Sequence, residues 1–210
     1  PRVQTIPLPE EEIMRVAVEG SPDFLDGGDS CKFITQLDTW HTDSTYADIY
    51  AAGTLPIGYT ITCDAPWLSI VPRQGTISGE ERIWLSSAGG EVPTGIHTVT
   101  VTITPRKGDP ITLFLEVFHP EPLPSGFLGF AESNGHFSIE AAHFSRKSEK
   151  NGVTWEEVPG LGRTLSGMTT FPVTAPGDSQ PANNPTLEYD LWFHTSGEAE
   201  VILALSPTLD

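Results

Sequence analysis

Glu140 and His143 stand three residues apart in Ser138-Ile-Glu-Ala-Ala-His-Phe-Ser-Arg146, a spacing that could supply half of a metal site. On a helix these two side chains would be neighbours. On a strand they would point to opposite faces, and the flanking Phe137, Ile139, Ala141 and Phe144 favour a strand. Glu156 and Glu157, beside Trp155, are of the residue type that glycoside hydrolysis uses as a pair. A retaining pair must face each other across about 5 Å, and adjacent strand residues face apart. Glu198 and Glu200 share a face, opposite Val201, Leu203 and Leu205, as on the wet side of a half-buried strand. His41-Thr-Asp43 with Ser44 contains the residue types of a nucleophilic triad. A triad needs a base held within reach of its nucleophile, and no Gly-x-Ser-x-Gly elbow is present. Gly160-Leu-Gly162 lacks the third glycine and the βαβ setting of a dinucleotide site. None of these groups predicts a reaction centre, so no catalytic residue is assigned.

The tryptophans offer a different chemistry, stacking on the apolar face of a sugar ring. Trp40, Trp67, Trp84, Trp155 and Trp192 all lie beside apolar neighbours, which makes core packing the first expectation for each. Trp40, set among Asp38, Thr39, His41 and Thr42, is the one expected to be exposed. Trp40 and Trp155 are therefore the candidate carbohydrate contacts. Two cysteines, Cys31 and Cys63, are too few for a zinc site. They form either one disulfide, if the protein is secreted, or two buried thiols.

The elements that must position these residues read as strands. Met14, Val16 and Val18 alternate with Arg15, Ala17 and Glu19. Tyr59, Ile61 and Cys63 alternate with Thr60 and Thr62. Val99, Val101 and Ile103 alternate with threonines, and Ile111, Leu113, Leu115 and Val117 form the next inward face. Further strands are predicted over Cys31–Leu37, Tyr46–Tyr50 and Ile83–Leu85, with a turn at Pro72–Gly75. Such spacing, punctuated by Gly 20 and Pro 19, predicts an all-β sandwich. Residues 1–12 form an extended lead-in, 13–118 the first sandwich and 119–126, with three prolines, a stiff spacer. Residues 127–210 form a second sandwich, with strands over His136–Phe144, Thr154–Val158, Leu187–Phe193 and Glu198–Leu205. A long irregular stretch runs from Gly160 to Pro185. Four strands are too few for closure, so this module is expected to be incomplete and its last apolar strand to need a covering neighbour.

Charge narrows the partners. The formal net charge of -17 repels nucleic-acid phosphates and anionic lipid, so neither is expected. No apolar run approaches the ~20 residues of a membrane-spanning helix. A neutral sugar or a protein partner remains compatible.

Ser138–Arg146, Trp155, Pro159-Gly-Leu-Gly-Arg-Thr-Leu-Ser-Gly-Met-Thr-Thr-Phe-Pro-Val-Thr174, Leu187-Glu-Tyr-Asp190 and Ser206-Pro-Thr-Leu209 together resemble the C-terminal region of glycoside hydrolase family 115, with the Pro159–Thr174 block the most specific. Residues 13–118, with Val18-Glu-Gly-Ser21 and Asp48-Ile-Tyr50, are similar to the immunoglobulin-like segment that precedes that region. The resemblance implies an immunoglobulin-like module followed by one like a carbohydrate-binding module. It implies a parent xylan α-1,2-glucuronidase, which removes glucuronic acid or its 4-O-methyl ether from xylan. The catalytic carboxylates of that family lie in upstream domains, so this chain is expected to be a non-catalytic, structural part of an extracellular enzyme. The expected partners are the parent's other domains, a second copy in a homodimer and a xylan-type polysaccharide; an independent module that binds xylan or another neutral glycan is the rival reading. No cofactor is expected. The Ile-Glu-Ala segment is also similar to the opening strand of carbohydrate-binding sandwiches, where alternating acids hold a structural calcium. Glu140 would be one ligand, but Ala142 replaces the second, short of the six to eight oxygens calcium takes.

Overall fold

The computed structural model describes residues 7–87 and 91–206, so the start of the lead-in and the 207–209 part of the C-terminal motif lie outside the described residues. The chain is all-β. Two compact units, Pro1–Pro122 and Leu123–Asp210, divide within the proline-rich segment.

The first unit stacks two sheets. β1 (Met14–Val18), β4 (Ser44–Ala51), β8 (Glu80–Ser86) and β6 (Ser69–Val71) form a four-stranded sheet in the order β1-β4-β8-β6. β2 (Ser30–Lys32), β10 (Ile111–His119), β9 (Gly95–Pro105), β5 (Ile57–Cys63) and β7 (Gln74–Ile77) form the other, and β3 (Leu37–Asp38) continues the parallel pairing of β2 along β10. Alternation decides the faces: Val16, Ile49, Ile83, Leu85, Val101, Ile103, Leu113 and Leu115 are wholly buried between the sheets. Each such side chain contributes about 1.5–3 kcal/mol by leaving water. Two details differ from the sequence reading. The expected strand over 31–37 is two short strands separated by a bend, and the expected turn at 72–75 runs into β7, which pairs with β5.

The second unit consists of two-stranded ribbons: β11 (Phe130–Ala131) with β16 (Leu191–Trp192), β12 (Arg146–Lys147) with β15 (Leu187–Glu188), and β13 (Thr154–Val158) with β14 (Gly167–Phe171). β14 emerges from the stretch expected to be irregular. The expected strand over 136–144 is instead loop and turn, and 198–205 pairs with nothing among the described residues. A strand exists only as part of a ladder, so an apolar alternating run without a partner stays unpaired. Among the described residues of this unit no apolar side chain is fully buried; the buried ones are Glu132 and Ser166.

Candidate functional site

Two surfaces stand out. The first is the outer face of the four-stranded sheet. Because Ile83 and Leu85 point inward, Trp84 must point outward, and it is 48% exposed. Strand register places Tyr46 on one side of it and Val71 on the other. The Tyr46 and Trp84 rings meet edge to face, with centroids 5.4 Å apart. In the next row Arg82 lies opposite Asp48 and donates to both carboxylate oxygens, at 2.8 and 2.9 Å. Its guanidinium carbon sits 3.6 Å from the Tyr46 ring centroid and 5.8 Å from that of Trp84, a cation–π stack that holds the aromatic pair in place. The hydrogen bonds to Asp48 keep Arg82 even more firmly protonated than a free guanidinium. Tyr50, one row further on, has its phenol pushed up, first by burial and then by the charges of Asp48 and Glu80. On the other flank Ser44, Ser86 and Ser69 form a row of hydroxyl-bearing residues. Alternation in Ile83-Trp84-Leu85 was the signal that could have singled out Trp84 from sequence.

The second surface is apolar and belongs to the second unit. Val201, Ile202, Leu203 and Leu205 are 74–84% exposed, and Phe171, Val173 and Phe193 are exposed as well. Polar clamps hold the same unit together. Arg146 donates to both oxygens of Asp190 at 2.7 Å and to Glu188 at 2.8 Å, which holds the Asp190 carboxyl below its ordinary range. The Glu132 carboxylate accepts from the His194 and Thr195 amides at 2.7 and 2.9 Å and from the Thr195 hydroxyl at 2.5 Å. Burial by itself would raise its pKa; these hydrogen bonds outweigh burial and lower it.

The residues singled out from sequence do not assemble into one site. Trp40, in the turn after β3, is 38% exposed, and its backbone amide donates to Asp38 at 2.9 Å. Trp155 is partly buried on β13, and its indole nitrogen donates to the Pro185 carbonyl at 3.0 Å. Glu140 accepts a hydrogen bond from the Thr164 hydroxyl, and the Glu140–His143 segment is a turn closed by the His143 amide on the Glu140 carbonyl. No cluster of three or more metal-ligating side chains forms among the described residues. His41 turns to Asp38, at 3.1 Å, and not to Asp43. Glu156 and Glu157 are both exposed. Gly162 folds back against the Ser166 backbone, where a Cβ would meet it at 2.7 Å, a packing role with no phosphate cradle. Of the two alternatives for the cysteines, a disulfide or two thiols, the structure has the thiols: Cys31 and Cys63 are free. Register aligns Cys31 with Leu113, Leu113 with Val101 and Val101 with Cys63. Three strand spacings, about 14 Å, separate the cysteines, twice the roughly 7 Å limit for a bridge. Burial pushes both thiols up, away from the reactive thiolate.

Residues 129–210 match the model of the Glycosyl hydrolase family 115 C-terminal domain. The second unit belongs to that family. A family 115 C-terminal domain implies a non-catalytic part of a family 115 enzyme, one that sits with the other domains of its parent. No curated protein matches the chain. Among solved structures, similar chains occur in the CsuC–CsuE chaperone–tip adhesion complex of Acinetobacter baumannii (TM-score 0.35, 10% identity, covering 47% of this chain and 57% of that one). The human CEP192 PapD-like domain 7 gives a TM-score of 0.33 at 13% identity, covering 59% of this chain and 95% of that one. The CupB2 chaperone of Pseudomonas aeruginosa gives 0.31 at 15% identity, covering 43% and 55%. The chain spans little more than half the length of the first and third of these. The fold assignment rests on the strand ladders and not on such distant likenesses.

Proposed function

We propose that this chain is the non-catalytic C-terminal part of a xylan α-1,2-glucuronidase, an enzyme that releases glucuronic acid or 4-O-methylglucuronic acid side chains from xylan. Its own role is to brace the catalytic domains of the parent or to supply a dimer surface. One observation carries the reading: the family 115 unit has no fully buried apolar side chain among its described residues, while Val201, Ile202, Leu203 and Leu205 are turned to solvent. Four apolar side chains exposed within five residues mark a contact face.

The test has two arms. The 210-residue chain incubated with glucuronoxylan is expected to release no glucuronic acid. In the parent enzyme, replacing Ile202, Leu203 and Leu205 by serine is expected to lower the melting temperature and shorten the half-life of activity without changing KM. Release of glucuronic acid by the chain alone, or a parent enzyme indifferent to the triple substitution, overturns the reading.

A further inference from the structure

The outer face of the four-stranded sheet has a different character, and its purpose is independent of the bracing role, which concerns the second unit. Val71, Trp84 and Tyr46 lie side by side on β6, β8 and β4. At about 4.8 Å per strand the row is roughly 10 Å long, longer than a single sugar ring. Arg82 occupies one face of the Tyr46 ring, so Trp84 and Val71, 48% and 60% exposed, offer the open apolar surface. The serine positions 44, 86 and 69 border this strip on one side and the Arg82–Asp48 pair on the other.

An apolar strip one residue wide between two polar rows fits a particular occupant. A protein interface of ordinary size buries about 800 Å² per partner around a broad apolar centre, and this strip offers no such breadth. A pyranose ring presents an apolar face with hydroxyls at its rim, so it stacks on an indole while the rim meets neighbouring hydroxyls and charged groups. The cation of Arg82 is already matched by Asp48, and the formal net charge is -17. An acidic polysaccharide therefore meets repulsion here, and a neutral one does not.

We propose that Trp84, flanked by Val71 and Tyr46 and bordered by Ser44 and Ser69, forms a stacking platform for a neutral polysaccharide chain running across β4, β8 and β6. The platform is preorganised, because Arg82 and Tyr46 fix the indole before any ligand arrives and little side-chain freedom is lost on binding.

Affinity electrophoresis and calorimetry of the 210-residue chain test this, with arabinoxylan and mixed-linkage β-glucan as neutral probes and polygalacturonate as the acidic control. Retardation and heat are expected with at least one neutral polymer and none with polygalacturonate. Trp84→Ala is expected to weaken binding about tenfold or more, Trp84→Phe to retain part of it, and Trp40→Ala and Trp155→Ala to leave it unchanged. Since Trp84 lies outside the core, the Trp84 variants are expected to melt with the wild type. If Trp84→Ala does not fold, loss of ligand-induced fluorescence quenching in Trp84→Phe stands in for it, and undiminished quenching overturns the proposal. It is also overturned if no neutral polymer binds, if Trp84→Ala binds as the wild type does, or if the substitution changes only the oligomeric state, the mark of a protein partner.

Discussion

The two units solve the problem of staying folded in opposite ways. Between Met14 and Val117 the alternating side chains of two sheets meet in an apolar core, and most polar side chains lie outside it, Asp38, Thr45 and Ser87 being the buried exceptions among the described residues. Between residues 123 and 206 the ribbons are short, many apolar residues face water, and carboxylates and an arginine tie the backbone together. A sheet buries an apolar face only when a second layer covers it, and ribbons of two strands have no such layer among the described residues. The first unit thus carries its stability within itself, and the second keeps part of its binding capacity for another surface.

The largest expected effect separates these strategies directly. Leu113→Ala opens a cavity in the first unit and is expected to cost about 2–5 kcal/mol, read as a lower melting temperature by calorimetry. The matching truncation in the second unit, Leu203→Ala, removes a side chain that is 74% exposed and is expected to leave the melting of the 210-residue chain unchanged. Equal losses at the two positions would erase the contrast.

Next in size is Arg146→Ala, which deletes the bidentate contact with Asp190 and the bond to Glu188. Limited proteolysis is expected to cut the second unit first and to leave the 14–117 fragment intact. Simultaneous digestion of both units would contradict independent behaviour.

A smaller effect is expected with pH. The Glu132 pKa is lowered in the folded state, so its contribution is present above the ordinary glutamate value of about 4.3 and is lost as pH falls through the folded value. Protection of the His194 and Thr195 amides, relative to their intrinsic exchange, is expected to fall as pH drops through the folded value, and Glu132→Gln to lower it already at neutral pH. Exchange in Glu132→Gln that matches the wild type would show that these amides do not depend on the carboxylate.

The smallest expected effect is at the cysteines. With the thiols about 14 Å apart, electrophoresis with and without reductant is expected to give the same mobility, and a faster non-reduced band would break the strand register.

The strand pattern of the first unit was legible because its cause is local. In Val99–Ile103 and Ile111–Val117 the period of two is a property of the pleat itself, and both strands lie where the alternation places them. The second unit was less legible for the same reason. Residues 198–205 alternate well enough to read as a strand, yet a strand also needs a partner, and that lies beyond the reach of periodicity. Gly167–Phe171 carries weak alternation and became β14 because β13 lies beside it. Apolar neighbours in sequence point to the core for all five tryptophans, Trp84 included, whereas its register turns Trp84 outward.

The sequence by itself determined which side chains share a face: Ile83 and Leu85 on one side, Trp84 on the other, by the geometry of extended backbone. It also determined, through its acidity, the classes of partner that are repelled. Only the tertiary structure decided which strands are neighbours. The row Val71–Trp84–Tyr46 exists because β6, β8 and β4 pair out of chain order, and Cys31 and Cys63 stay apart because β10 and β9 lie between them. Facing is set within a few residues, while pairing is set by hydrogen bonds between segments distant in the chain, where closure of the whole core selects the partner.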